Sequence, residues 1–399
     1  MLYHLIIYMD AGGNARAIGS ANTPWQSVSD QAFVQSLEVK RTVNAGDDIK
    51  LGSACAASFS AKIITPGGTL SIPLSENNLV RVMSFDDTAL NPTTEGFFYL
   101  TKPERTSSNT YRISGYDSVS KLDVDLASWL NAQTGWPYSL ANFTGMVCAK
   151  CGLTLYANIS STLAATVSIK KFSAQAITGR QLMQYLAEIY AGYLVSQSGS
   201  AVRLDWYSSA GVAIGPQDGA GTVAYRSNSL FYADYAVPGI DRVALLNTDG
   251  TVTDYYDRSY TGDPSELNTY TIQNNVVLDA ISAEHKALIL ENMYNRLHTF
   301  TYTPCKVSVW RRSGILAGHI VDVTDANGHS FTTIVMDQSL SGVEMLESTG
   351  SASRDTPEAV YSKDYQEQQQ MGLSSELLAQ MIEDVLIDEL SGKIACRFG

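Results

Sequence analysis

The chain has 399 residues, 45% hydrophobic and 17% charged, which is enough to build several cores and points to two to four domains of roughly 100–150 residues each. A count of 40 Asp and Glu against 27 Lys and Arg gives a net charge of −13 without any basic run. That balance excludes tight nucleic-acid binding, although an acidic wall can repel phosphate and let DNA slide past. No segment reaches the roughly 18 apolar residues of a membrane span.

The opening MLYHLIIYMDAGG carries a short apolar run with neither a basic leader nor a small-residue cleavage site. It reads as a first strand, in a soluble product made in the cytoplasm. Strands are then expected at Leu5 to Met9, Val34 to Arg41, Leu51 to Ile64, Phe97 to Leu100 and Tyr111 to Tyr116. Ala11-Gly12-Gly13, Pro66-Gly67-Gly68 and the polar run Glu104 to Asn109 separate them. Short strands at this spacing predict a small barrel or sandwich. The 22 Tyr against 11 Phe suit half-buried β surfaces, where a ring packs and its hydroxyl stays wet.

After Asp117, which can cap Ser118 to Leu122, the period becomes helical. Thr144 to Cys151 is one expected helix and Gly179 to Ala191 another. Thr178-Gly-Arg-Gln181 has the form of a capping box, Leu182, Tyr185, Leu186, Ile189 and Tyr190 share a face, and Gly192 is placed to stop the helix. Tyr193 to Ser196 and Val202 to Tyr207 follow as a hairpin. A second β region opens near Val237-Pro238-Gly239, with Arg242 to Leu246 and Thr251 to Tyr256 around Asp249-Gly250. One helix interrupts it, capped by Ser282 and running Ala283 to Leu297, with Ala287, Leu290, Tyr294 and Leu297 as the apolar stripe.

Phe300 to Tyr302 and Cys305 to Trp310 lead into Gly314 to Gly342, which reads as paired strands around a turn in which Asn327 and Gly328 supply positive φ angles. Ser348 to Ser353 and Tyr361 to Gln370 read as a linker. A last helix is expected from Ser375 to Leu390, apolar at Leu378, Ile382, Val385 and Leu386 and otherwise acidic. At roughly two heptads it is too short for a coiled coil of its own, so it docks on a partner, bundles with its copies or packs on its own chain.

Little in the sequence carries chemistry. There is no GxSxG, HExxH, Walker or GxGxxG pattern. Asp325-Ala-Asn327-Gly328 has part of a calcium-loop look, but Val323 and Ile334 occupy ligand positions that need oxygen, so a hairpin turn is expected. His4, His285, His298, His319 and His329 show no ligand spacing. The five cysteines, Cys55, Cys148, Cys151, Cys305 and Cys396, are odd in number and scattered, against a disulfide framework. Cys148-Ala-Lys-Cys151 has zinc or redox spacing but no second ligand pair. Met146, Val147 and Cys151 fit the buried face of a short helix ending at Gly152. Asp86-Asp87 and Glu383-Asp384 read as solvated charge, though paired glycosidase carboxylates would be a spatial feature. No catalytic, cofactor or metal residue is assigned.

Taken in order, the segments resemble the trimeric tail-hub proteins of bacteriophages, in the contractile baseplate and in the N-terminal part of the tail-associated lysozymes of siphophages. The parts that carry the resemblance are Ile49-Lys-Leu-Gly52-Ser-Ala-Cys55 before a long strand, Tyr111-Arg-Ile-Ser-Gly-Tyr116-Asp117-Ser118, Thr178-Gly-Arg-Gln-Leu182 through Ala187 and Gly192 to Leu204, Asn268 to Asn275, and Gly318-His319-Ile-Val-Asp322. The resemblance spans about Leu2 to Ser353. His319 stands where relatives place Asp, and the chain ends after a short helix where many tail lysozymes continue into a peptidase or muramidase.

The resemblance implies an α+β, mainly β chain of two small β-barrel domains, 1–117 and 239–345, with an α+β insertion at 118–238 and a linker with the amphipathic helix at 346–399. It further implies a ring-forming homotrimer whose six barrels match a sixfold tail tube to a threefold tip, without enzymatic activity or cofactor. The implied partners are the distal tail or tail-tube protein, the C-terminus of the tape-measure protein, a spike, fibre or other tip protein, and DNA in transit. The expected location is the tail tip or baseplate of a virion. His319 and the stripe Leu378, Ile382, Val385 and Leu386 are the expected assembly residues. A receptor-binding tip protein and a wall-degrading tail enzyme are the alternatives.

Overall fold

The computed structural model describes residues 2–9, 13–21, 32–68, 74–86, 93–156, 161–247, 250–309 and 313–351. The expected final helix, with Leu378, Ile382, Val385 and Leu386, lies outside them, as does Cys396. Within them the chain is α+β and mainly β.

Alternation of apolar and polar residues builds the first β unit. Phe59, Ala61 and Ile63 of strand Ser58–Ile64 face inward, and so do Val80 and Val82 of Leu79–Asp86 and Phe98 and Leu100 of Thr93–Leu100. With Ile6, Ile18, Val39 and Ile113 they make one core, centred on the Phe59 and Phe98 rings at 4.9 Å. Each Val, Leu, Ile or Phe among them contributes about 1.5–3 kcal/mol by burial.

Where separate barrels were expected, the strands of both β regions run in one twelve-stranded sheet. Its path is Phe231–Tyr232, Cys305–Val309, Glu344–Glu347, Asp337–Leu340, Phe33–Thr42, Ser58–Ile64, Thr110–Tyr116, Thr93–Leu100, Leu79–Asp86, Leu2–Met9 and Ala15–Gly19, with the twelfth strand, Glu104–Arg105, pairing with Thr110–Tyr116 off the path. Strand Asp337–Leu340 joins the two regions by pairing with Val39 to Thr42, and Leu340 enters the first core. At the far end the sheet curls until Ser20 bridges Val34. Among the described residues no full ladder closes that approach.

A second core is helical. Leu140–Lys150, Gly179–Ile189 and Ala283–Leu297 pack with the sheets Thr154–Tyr156, Ala201–Asp205, Tyr193–Ser198 and Val252–Tyr256, Arg242–Leu246, Thr269–Ile272. The capping box forms as expected: Gln181 N–H donates to Thr178 Oγ1 at 3.1 Å, and Thr178 N–H donates to Gln181 Oε1 at 2.9 Å. The stop differs. Ala191, at φ 53°, is the left-handed residue, and the amides of Ala191 and Gly192 close on the carbonyls of Glu188 and Ala187 at 2.8 and 2.9 Å. Gly192 is needed for another reason, since a Cβ there would strike the Asp205 carbonyl. In Ala283–Leu297 the buried stripe is Ile289, Leu290, Met293, Tyr294 and Leu297, and Ala287 is exposed. The helix leans on its neighbours by about one residue more than the spacing suggested.

The sequence-based limits at 118–238 and 239–345 cut across these pairings. Ser208 and Ser209 pair with His319 and Ile320, and Ile214 with Val323, so part of the expected insertion belongs with the C-terminal strands. Residues 240–297 instead share the helical core. Local periodicity gives elements in order but says nothing of which non-adjacent strands meet.

The hairpin His319–Thr324 with Ser330–Ile334 forms as expected, but only Gly328 has positive φ, at 85°. Asp325 takes over the other half of the turn. Its Oδ1 accepts from Asn327 N–H at 2.8 Å and His329 N–H at 2.9 Å, the arrangement of a longer loop ending in a left-handed glycine.

Candidate functional site: the seam between the β units

The segment Ile49 to Cys55 runs into the helical core, where Ile49, Leu51 and Ala54 are buried. Val43 N–H donates to the Met336 carbonyl at 3.0 Å, Gly52 N–H to the Gly192 carbonyl at 2.8 Å, and Leu194 N–H to the Ser53 carbonyl at 2.8 Å. Leu51 N–H reaches Tyr270 Oη at 3.0 Å. Asn44 shapes the loop from inside: its Oδ1 accepts from Lys50 N–H at 2.9 Å, and its Nδ2 donates to the carbonyls of Gly46 and Asp48 at 2.6 and 2.7 Å. Gly52 has φ 81°, and a Cβ there would stand 2.7 Å from the Gln184 carbonyl and 2.9 Å from Glu188 Cβ.

Charged groups surround this loop. Arg180, at the start of helix Gly179–Ile189, grips Asp123 through Nε and Nη2 at 2.5 and 2.8 Å and donates to the Ala54 carbonyl. Asp117 accepts from the amides of Ala57 and Val119, each at 3.0 Å, fixing the corner where the first unit passes into the helical core. Burial lifts its carboxyl to about 6 against those two hydrogen bonds. Glu188 accepts from Asn275 Nδ2 at 2.8 Å, and burial lifts it to about 7. The last described residue, Ser351, donates through its amide to Asp48 Oδ1 at 2.8 Å, and Tyr235 Oη donates to the Gly350 carbonyl at 2.8 Å.

A buried polar relay crosses the joined ladder. Arg41 donates to Gln338 Oε1 at 2.7 Å and to Glu95 Oε2 at 2.9 Å, and also to the Glu95 carbonyl. Gln338 donates onward to Glu344 Oε1 at 2.5 Å and to the Ile315 carbonyl at 2.7 Å, and Glu344 Oε2 accepts from Ser313 N–H at 2.6 Å. Burial pushes Glu344 above the ordinary carboxylate range. Sequence reading missed this relay. Its signal was parity: Leu37, Val39 and Arg41 alternate onto one face, as do Gln338 and Leu340.

His319 sits at the other side of the seam. Its Nδ1 accepts from Leu316 N–H at 3.1 Å while its own N–H donates to the Leu316 carbonyl at 3.0 Å. The imidazole therefore supplies an acceptor as a carboxylate would. The other histidines are dispersed: His4 pairs with Ser84 Oγ at 3.0 Å inside the first unit, His298 stacks on Tyr294 at 4.6 Å, and His329 faces Tyr232 at 5.6 Å. Cys55, Cys148, Cys151 and Cys305 are free thiols. Cys148 Sγ lies 3.7 Å from Met183 Sδ in the helical core, and burial pushes Cys148 and Cys151 up to about 12 and 11. They are packing groups with little thiolate character. Among the described residues no group of three or more His, Cys, Asp or Glu side chains is placed to hold a metal ion, and no helix is long and apolar enough to cross a membrane.

Among solved structures, several phage tail proteins are similar to this chain at low identity. A 43 kDa tail protein of prophage MuSo2 from Shewanella oneidensis is 14% identical with a TM-score of 0.48, over 86% of this chain and 96% of that one. A tail protein from Neisseria meningitidis MC58 is 11% identical with a TM-score of 0.48, over 87% and 96%. Prophage tail protein gp18 from Listeria monocytogenes EGD-e is 9% identical with a TM-score of 0.47, over 95% and 98%. No family model and no curated protein matches the sequence.

Proposed function

We propose that the chain is a structural hub at the distal end of a phage or phage-like tail. Three copies form a ring of six β units that closes the tail tube, meets the distal tail or tube protein above, and carries a spike, fibre or other tip protein below. The end of the tape-measure protein lies inside, and DNA leaves through the middle past an acidic wall. The work is mechanical and adaptive rather than catalytic.

The observation that supports this reading is the ladder from Val39–Leu340 to Thr42–Asp337, which sets two β units of one chain side by side in a single sheet. A threefold copy of such a pair has six units at one level, and the Arg41 relay stiffens each pair against hinging. The seam holding His319 and the segment bearing Leu378, Ile382, Val385 and Leu386 are the proposed assembly parts. The acidic, amphipathic stretch from Ser375 to Leu390 would fasten the tip protein.

Electron micrographs of purified protein, alone and bound to tail tubes, test the reading. A threefold ring that caps tube ends is expected. A monomer at all concentrations that never binds tubes would sink it. Truncation after Ser353 is expected to leave the ring folded and to release the tip protein; unchanged tip attachment would remove the terminal segment from the scheme.

A further inference from the structure

The turn Leu316-Ala317-Gly318-His319 stands where the C-terminal hairpin meets the helical core. Gly318 has φ 95°, and a Cβ there would strike the Tyr193 hydroxyl, so the backbone lies directly on the core's aromatic edge. Around it the seam is a set of single hydrogen bonds. Ser208 N–H donates to the Gly318 carbonyl at 3.1 Å, Ala210 N–H to the Ile320 carbonyl at 3.0 Å, Gly318 N–H to the Val335 carbonyl at 2.8 Å, and Val335 N–H to the His319 carbonyl at 2.8 Å. Inside the turn, Leu316 N–H has His319 Nδ1 as its acceptor at 3.1 Å. This contact requires Nδ1 to be bare, which puts the proton of the neutral ring on Nε2.

We propose that His319 is an acid-sensitive latch: the neutral ring holds the 316–319 turn closed, and a proton taken up at Nδ1 opens it and loosens the seam between Ser208–Ser209 and His319–Thr324. Protonation converts the acceptor into a donor, so two N–H groups face each other and the Leu316 amide loses its partner. The charged groups acting on the ring are Asp205 and Arg203 on Ala201–Asp205, while the titratable Tyr193 of Tyr193–Ser198 lies against the neighbouring Gly318. Asp205 favours the proton and Arg203 opposes it, and the two are themselves ion-paired at 2.5 Å, so their effects offset. Burial, the larger influence, holds the ring below its ordinary value. The closed turn is therefore fully held above the ordinary histidine range and is lost as pH falls through and below it. An Asp or Asn at this position offers an oxygen acceptor that takes no proton near neutrality, so acid release is a property of the imidazole. This inference does not depend on the hub reading.

Hydrogen–deuterium exchange of the full chain, followed by mass spectrometry on peptides spanning residues 313–322, tests it at pH 7.5 and 5.0 with times scaled for intrinsic exchange. Wild type is expected to lose about tenfold in protection there at the lower pH, while H319N keeps its protection at both. Equal wild-type protection at the two pH values overturns the proposal, as does an equal loss in H319N. If H319N does not fold, H319D takes its place, and the wild-type comparison alone still decides.

Discussion

Arg41 of the first β unit and Gln338 of the second meet at 2.7 Å in register, as direct neighbours across the ladder that joins their strands. The guanidinium holds Glu95 of its own unit with its other arm, so one side chain satisfies a carboxylate on one side of the junction and an amide on the other. Arg41→Ala is expected to cost about 3–5 kcal/mol, because it takes the guanidinium away from a buried carboxylate and an amide together. Lys40→Ala next door, where the Lys40–Glu38 pair is exposed, is expected to cost under about 1 kcal/mol. Urea unfolding of the two variants measures the difference.

Gly52 and Gly328 separate two demands on glycine. Both have positive φ, at 81° and 85°, but a Cβ at Gly328 meets nothing within 4 Å. Gly328→Ala is expected to cost about 1–2 kcal/mol, the left-handed penalty alone. Gly52→Ala adds a collision with the Gln184 carbonyl and Glu188, and is expected to cost at least twice as much or to prevent folding. Thermal melting ranks them.

The pH dependence of stability has two opposed limbs. Glu188 is raised from 4.5 to about 7 by burial, so its ionised form penalises the fold above that value and the penalty is relieved as pH falls. Between pH 8 and 6.5 this amounts to a gain of about 1 kcal/mol. His4 is lowered from 6.5 to about 4 by burial. Its contribution is complete above 6.5 and is lost as pH falls from there to 4, to the extent of about 3 kcal/mol. Asp117, raised from 3.8 to about 6, offsets part of that loss over the same range. Glu188→Gln should flatten the limb from pH 8 to 6.5 in a denaturation series and steepen the fall below it, because relief of the Glu188 penalty continues down to about pH 4.5 and offsets the His4 loss in the wild type.

Cys148 and Cys151 should behave as core side chains. With their thiols pushed up to about 12 and 11, both are expected to resist iodoacetamide at pH 7.5 in the native protein and to react at once in denaturant. Rapid native alkylation of either, read by mass spectrometry of its peptide, would contradict the packing described.

The elements that sequence reveals best are those whose signals are local. The Thr178–Gln181 capping box, the Ser282 cap and the 319–334 hairpin all form, since each is decided by residues three or four apart or by one turn. What the sequence conceals is long-range. Nothing near Leu340 says that it pairs with Val39, some three hundred positions away, and nothing near Ser208 points to His319. The stop at Ala191 in place of Gly192 shows the same limit at small scale: the glycine is required by the backbone of Asp205, a strand away, and the alanine absorbs the left-handed conformation beside it. The seam residues were partly legible. Ile49 to Cys55 and Gly318-His319 stood out as a pattern, whereas Arg41, Glu95 and Glu344 were hidden among ordinary surface charges until their inward parity was set against a facing strand.

The anchoring of Ser351 on Asp48 gives the molecule a load path. A pull on whatever follows residue 351 first strains the paired contacts from Ser351 to Asp48 and from Tyr235 to Gly350, then the loop that Asn44 braces, and so passes into the helical core. Tension at the tail end of the chain is thereby spread through the body rather than peeling strand Glu344–Glu347 from its neighbours one bond at a time.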